Sequence, residues 1–192
     1  MKKILAAVLA SMMVLALAGC GKTGIESNWV ESDENITATE KEDGSFLYEG
    51  RMGSNMKTYW FDYSIDDAYY TTDEIGGYIP EEGNEFVVVK ITMKNTFGQT
   101  VPMNLWDYIL KWGNDDEDKH LNEFSYPIDA SEPVLEDQFP NMYELDDKET
   151  RTGTLVFVAP EGTEDFRIGF VETFENDTEG NEFWVFFTAD EK

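Results

Sequence analysis

The sequence predicts an all-β domain built as a sandwich of two sheets, and three observations carry that prediction. Short segments at 59–70, 86–93, 105–112, 153–159, 165–171 and 182–188 alternate apolar with polar residues at a period of two. Each is rich in β-branched and aromatic residues and is bounded by Gly, Pro, Asn or Asp. Beyond the first nineteen residues no segment carries a sustained helical stripe. A strand with one apolar face needs a second such face to cover it, and two interdigitating sheets supply it.

The N-terminus comes first. Lys2 and Lys3 precede a run, 4–17, whose only polar member is Ser11. A permanent membrane helix wants about 20 apolar residues, so the run reads as a secretory signal. Leu17-Ala18-Gly19-Cys20 then follows the lipobox pattern, in which small residues admit the backbone to a peptidase that cuts before a lipidated cysteine. Residues 1–19 are therefore expected to be a lipoprotein signal peptide and Cys20 the site of lipid attachment. The expected location is the outer face of the membrane of a Gram-positive bacterium. Cys20 is the sole cysteine. The folded part must then cohere through an apolar core, without the disulfides that an export compartment would permit, and thiol catalysis is excluded.

Residues 20–45 are polar and acidic, with Ile25, Trp29, Val30 and Ile36 as the only sizeable apolar side chains. So little apolar area does not offset the entropy of ordering, so a disordered acidic tether is expected there. The domain proper is expected to span 46–192. In its most apolar strand, Val87, Val89, Ile91 and Met93 share one face and Lys90, Thr92 and Lys94 the other. Pro160-Glu161-Gly162 suggests a hairpin between its neighbours, and 176–181 another before the last strand. Ser131-Glu132-Pro133 could start one helical turn. The piece 113–150 is long for a connection, so it is expected to be partly structured or functional.

The stretch EGNEFVVVKITMKNTFGQTVPM, the 105–112 strand and DDKETRTGTLVFVAPEG together resemble a bacterial extracellular lipoprotein domain family of unassigned function. Its pattern is a Gly before a Val-rich strand ending in Asn, then Gly-Thr-Leu-Val-Phe before a Pro. Gly83, Val87, Val88, Val89, Asn95, the run 153–157 and Pro160 match it. The resemblance covers roughly residues 57–170 and implies a telokin-like, immunoglobulin-type antiparallel β-sandwich. These motifs are structural, and the family brings no substrate to any residue.

Chemistry is sparse. The chain carries 14 Lys and Arg against 40 Asp and Glu, a net charge of −26. Such a surface repels phosphate backbones, so nucleic acid is not an expected partner. His120 is the one histidine, sits in an acidic run that favours its protonated form, and has no Gly-x-Ser-x-Gly elbow to serve. No catalytic residue is assigned, and an enzyme is not expected. The densest oxygen cluster, 114–118, places Asn114, Asp116 and Asp118 at the first, third and fifth positions of a calcium loop. Lys119 then replaces the glycine and Ser125 the bidentate Glu. Calcium is accordingly the one candidate ion, and no other cofactor is expected. Trp60, Trp106, Trp112 and Trp184 are read mainly as packing, whereas Tyr69, Tyr70 and Tyr78 lie near turns where a sugar or peptide could stack. The expected role is a membrane-anchored, non-enzymatic interaction module for an envelope or extracellular protein. A small-ligand or cation-sensing domain on the same scaffold is the alternative.

Overall fold

A computed structural model describes residues 35–113, 123–174 and 178–192. The expected signal peptide and lipobox, Cys20, Asn114, Asp116, Asp118 and His120 lie outside the described residues. In chain order the strands are β1 (Thr37–Glu40), β2 (Phe46–Arg51), β3 (Met56–Lys57), β4 (Phe61–Thr71), β5 (Asn84–Asn95), β6 (Val101–Asn104), β7 (Tyr108–Trp112), β8 (Phe124–Ser125), β9 (Met142–Leu145), β10 (Thr150–Pro160), β11 (Asp165–Phe174), β12 (Thr178–Thr188) and β13 (Asp190–Glu191). One sheet runs β1-β2-β12-β11-β7-β8 and the other β10-β5-β4-β13, with β3 beside β4; β6 and β9 pair separately. Pairing is antiparallel except for β12 with β2 and β13 with β4. The predicted all-β sandwich is the fold.

The core lies between the sheets. Val87, Val89, Ile91 and Met93 of β5 are at most 1% exposed, as their shared face predicts. Phe61, Tyr63 and Ile65 of β4 and Leu155 and Phe157 of β10 extend that face. A bulge between Ile65 and Asp67 resets the alternation, so Ala68 and Tyr70 turn inward after it. Facing them are Tyr108 and Leu110, Phe166, Ile168 and Phe170, and Phe183, Val185 and Phe187. Aromatic edges bridge the two layers: Tyr63 meets Tyr108 at 5.9 Å and Phe61 meets Phe170 at 5.1 Å, both near-perpendicular.

Several local expectations are corrected. The domain starts before residue 46: Thr37–Glu40 pairs antiparallel with Phe46–Arg51, and Ile36 packs on the core. Backbone pairing at a sheet edge supplies there what the side chains of β1, all exposed, do not. The 105–112 segment divides into a 3-10 turn, Leu105–Asp107, and the strand β7. Pro160-Glu161-Gly162 does not close a hairpin, because β10 and β11 belong to different sheets. The strands on either side of 175–177, β11 and β12, do pair antiparallel, with β12 beginning at Thr178. Ser131-Glu132-Pro133 forms bends without a helical turn.

The run Phe86-Val87-Val88-Val89 is buried on both faces, as a near-continuous apolar run requires. On the outside of the second sheet Phe86, Val88 and Val156 form a second cluster with Ile75 and Val134. The 126–141 segment lies along the exposed edge of β10, where Ile128 N–H donates to the Val156 carbonyl and Phe139 N–H to that of Thr154. This covering removes a free sheet edge.

Buried polar side chains hold the loops. Asn95, fully buried, donates from Nδ2 to the carbonyls of Gln99 (2.7 Å) and Leu145 (2.8 Å) and accepts at Oδ1 from Phe97 N–H. Glu172 sits in the β11 bulge and accepts from Tyr59 N–H at 2.6 Å and Asn181 N–H at 3.1 Å. Glu85 accepts from Gly162 N–H through Oε2, while its Oε1 is buried with no hydrogen-bond partner among the described residues. Burial raises the carboxyls of both Glu85 and Glu172.

Asn95→Ala would leave the two carbonyls and one N–H without their partner. It should lower the free energy of unfolding by about 2–4 kcal/mol in urea denaturation. A carboxyl raised by folding contributes its stability below the ordinary value of 4.5 and loses it as the pH climbs through the folded value. Glu85 and Glu172 therefore favour the folded state more at pH 5 than at pH 7. Replacing Glu85 by Gln keeps an acceptor for Gly162 without the buried charge. At pH 7 the variant should be the more stable by about 1 kcal/mol, with a flatter dependence of melting temperature on pH.

Candidate binding groove

On the outer face of the second sheet, a groove opens between the 75–84 loop and the 126–134 strap. Gly76 and Gly77 form a two-residue turn with φ of +59° and +90°, closed by reciprocal 2.9 Å backbone hydrogen bonds between Ile75 and Tyr78. Glycine takes two such angles in succession at no steric cost. Gly76 has a second constraint, since a Cβ there would collide with the Val134 backbone. The turn thus buries Ile75 against Val134 and leaves Tyr78 46% and Ile79 70% exposed.

The opposite wall is fixed by a knot of polar side chains. Asp129 accepts from Ser131 N–H and Oγ–H and from Asn141 Nδ2–H, and Asn141 accepts from Ala130 N–H. Those donors, Asn141 first and then Ser131, pull the Asp129 carboxyl down to about 2. Gln138 accepts from Val134 N–H at 2.8 Å and fixes the end of the strap. Tyr78 hydroxyl reaches across to Glu132 at 3.2 Å, and the carboxylate raises its pKa.

The resulting groove has a volume of about 580 Å³. Phe86, Val134, Val158 and Ile128 give it an apolar floor, Ile79 and Pro80 a wall, and Glu81, Asp129 and Glu132 an acidic rim. Among the described residues no basic side chain lines it. Its composition suits an apolar side chain flanked by a cation: the floor takes the first and the rim attracts the second. The Ser131 hydroxyl donates to Asp129, whose depressed carboxyl is a weak base.

Of the three tyrosines marked from sequence, only Tyr78 lies in the groove. Tyr69 packs on the outer cluster beneath Lys192, whose Nζ stands 4.2 Å from its ring centroid, and Tyr70 packs on the main core. Trp112 and Trp184 are packing, with Trp184 seated across Gly169 where a Cβ would collide with the indole. Trp106, read as packing, is instead 41% exposed. Among the described residues no group of three or more His, Cys, Asp or Glu side chains is placed to hold a metal ion, and no helix is long and apolar enough to cross a membrane. The sequence reasoning missed Ile79, Asp129 and Glu132. The Gly76-Gly77 pair followed by an exposed Ile-Pro was the available signal, but the facing wall comes from fifty residues further on.

No protein-family model and no curated protein matches the sequence. Among solved structures, a candidate lipoprotein of Bacillus subtilis, ycdA, superposes with a TM-score of 0.54 at 14% identity, covering 70% of this chain and 38% of its own. This chain therefore spans well under half the length of that protein. A candidate lipoprotein of Staphylococcus aureus gives 0.49 at 10% identity, covering 82% of this chain and 99% of its own. A β-sandwich protein of Clostridium difficile gives 0.44 at 16% identity, covering 72% and 92%. At these identities the Bacillus subtilis likeness shows the fold alone, and that fold is the β-sandwich found here.

Proposed function

We propose that this chain is a lipid-anchored, extracytoplasmic binding module without catalytic activity, and that it receives a protein segment in the groove of Tyr78 and Ile79. The groove is the observation that carries the reading. Its walls are held by a glycine turn and a hydrogen-bonded knot, so little ordering remains to be done when a partner arrives. An exposed Ile79 above an apolar floor is the kind of anchor position around which interfaces concentrate their energy. The net charge of −26 steers basic segments toward it. Anchoring rests on the Leu17-Ala18-Gly19-Cys20 pattern. Two or more acyl chains bind a bilayer stably, and one does so marginally.

A displayed peptide library selected on the purified protein should yield segments pairing a large apolar residue with Lys or Arg. Ile79→Asp should weaken the best of them roughly tenfold or more, as truncating a central anchor does. Selection of segments without a basic residue, or equal binding by the variant, would remove the groove from the proposal. Cys20→Ser should leave the protein uncut or release it from the membrane fraction. Normal cleavage with full membrane retention would exclude the anchor.

A further inference from the structure

A second cleft, of about 600 Å³, lies at the β6 and β7 side of the molecule. Trp60, Phe97, Trp106 and Tyr126 line it with Asp107, Thr100, Thr173 and Glu179, and among the described residues no basic side chain does. Three of its rings are unusually open for a folded domain: Phe97 is 37% exposed, Trp106 41% and Tyr126 47%. Large exposed aromatics gathered in one concavity mark a binding surface more often than a packing accident.

Two of these rings are held rigidly in that exposed position. Trp106 stands on the 3-10 turn Leu105–Asp107, where Leu105 is buried as an anchor and Asn104 Oδ1 accepts from Trp106 N–H at 3.1 Å. Phe97 is held the same way: Asn95 Oδ1 accepts from its N–H at 2.9 Å, and Asn95 is itself fully buried. Behind Phe97, Tyr59 packs tilted at 5.6 Å and Trp60 stands edge-on to Tyr59 at 5.5 Å, a continuous aromatic support. Among the described residues no close ring pairing joins Phe97, Trp106 and Tyr126 to one another. They are separate platforms, not a closed cage around one small cation. Asp107, next to Trp106, keeps an exposed carboxylate with no hydrogen bond among the described residues, and partial loss of water raises its pKa.

We infer that this cleft binds a neutral glycan, the platforms of Phe97, Trp106 and Tyr126 stacking on sugar rings while Asp107, Glu179 and the two threonines accept from sugar hydroxyls. A pyranose offers an apolar C–H face and a hydroxyl-bearing edge, and this lining matches both. Separate platforms suit a chain of rings. The acidic groups of the described lining, Asp107 and Glu179, in a protein of charge −26, disfavour phosphorylated or uronic-acid polymers. This site is distinct from the Tyr78 groove and stands whether or not that groove takes a protein.

The test is tryptophan fluorescence and calorimetry on the full-length chain, purified in a detergent without a sugar headgroup. The probes are chitotetraose, cellotetraose and maltotetraose, with tetramethylammonium as the small cation. At least one tetrasaccharide should bind saturably and perturb the fluorescence. Trp106→Ala should weaken it by roughly tenfold, the loss expected for a stacked aromatic anchor. Asp107→Ala, which removes an acceptor for a sugar hydroxyl, should weaken binding several-fold. Binding of tetramethylammonium alone, no saturable binding of any tetrasaccharide, or undiminished binding by a folded Trp106→Ala variant would each overturn the inference.

Discussion

The structure depends on the meeting of two apolar sheet faces. Cys20 is the sole cysteine, so no disulfide can staple the domain. Cohesion must come from Phe61, Tyr63, Val87, Val89, Ile91 and Phe157 on one side and Tyr108, Leu110, Phe166, Ile168, Phe183 and Val185 on the other. Each such side chain contributes about 1.5–3 kcal/mol when fully buried, so the layer carries most of what opposes chain entropy. Tyr63 and Tyr108 can join it because their hydroxyls are placed: one reaches the Phe183 carbonyl at 3.4 Å and the other the Met93 sulfur at 3.6 Å. Burial raises the pKa of both, which keeps them neutral inside the core.

Around that layer the loops are shaped by single polar groups rather than by further apolar area. Asn95, Glu172, Glu85 and the Asp129–Asn141 pair each capture backbone N–H or C=O groups that would otherwise be buried unpaired. A surface as acidic as this one makes two of those choices costly, because Glu85 and Glu172 carry charge into low dielectric. The return is positional. Glu172 ties the 58–60 turn to β11, beside the aromatic cleft, and Asp129 fixes one wall of the Tyr78 groove. Rigid concavities therefore appear on a scaffold whose strands carry no chemistry of their own, the usual division between a sheet scaffold and its loops.

Basic residues are few, and the structure places several over rings. Lys111 Nζ stands 4.7 Å from the Trp184 ring centroid and Arg167 5.3 Å from it, while Arg151 lies over Tyr143 and also pairs with Glu149 at 2.5 Å. Their aliphatic stems shield aromatic surface from water while the cations meet the ring quadrupole. Trp184 is only 8% exposed on an outer sheet face for this reason. Gly169 is required beneath it, because any side chain would occupy the space of the indole.

Much of the sandwich was legible in the sequence because strand periodicity is local: the inward set from Val87 to Met93 follows from alternation alone. Asn95, which the family resemblance also marks, ends that strand because its amide must reach two carbonyls and one N–H at once. Alternation misled where a bulge resets it, as at Asp66, and where covering elements bury a second face, as at Phe86 and Val88. Local composition also hid β1, which is held by backbone pairing to β2 and not by its own side chains. The acidic body and the absence of disulfides are determined by the sequence itself, since each is a property of composition. Only the tertiary structure decided that Tyr78 faces Glu132, or that Phe97, Trp106 and Tyr126 share one cleft. Tyr78 and Glu132 are 54 positions apart, and Tyr126 comes from beyond β7, so sheet pairing and crossover, which no local pattern encodes, bring these groups together.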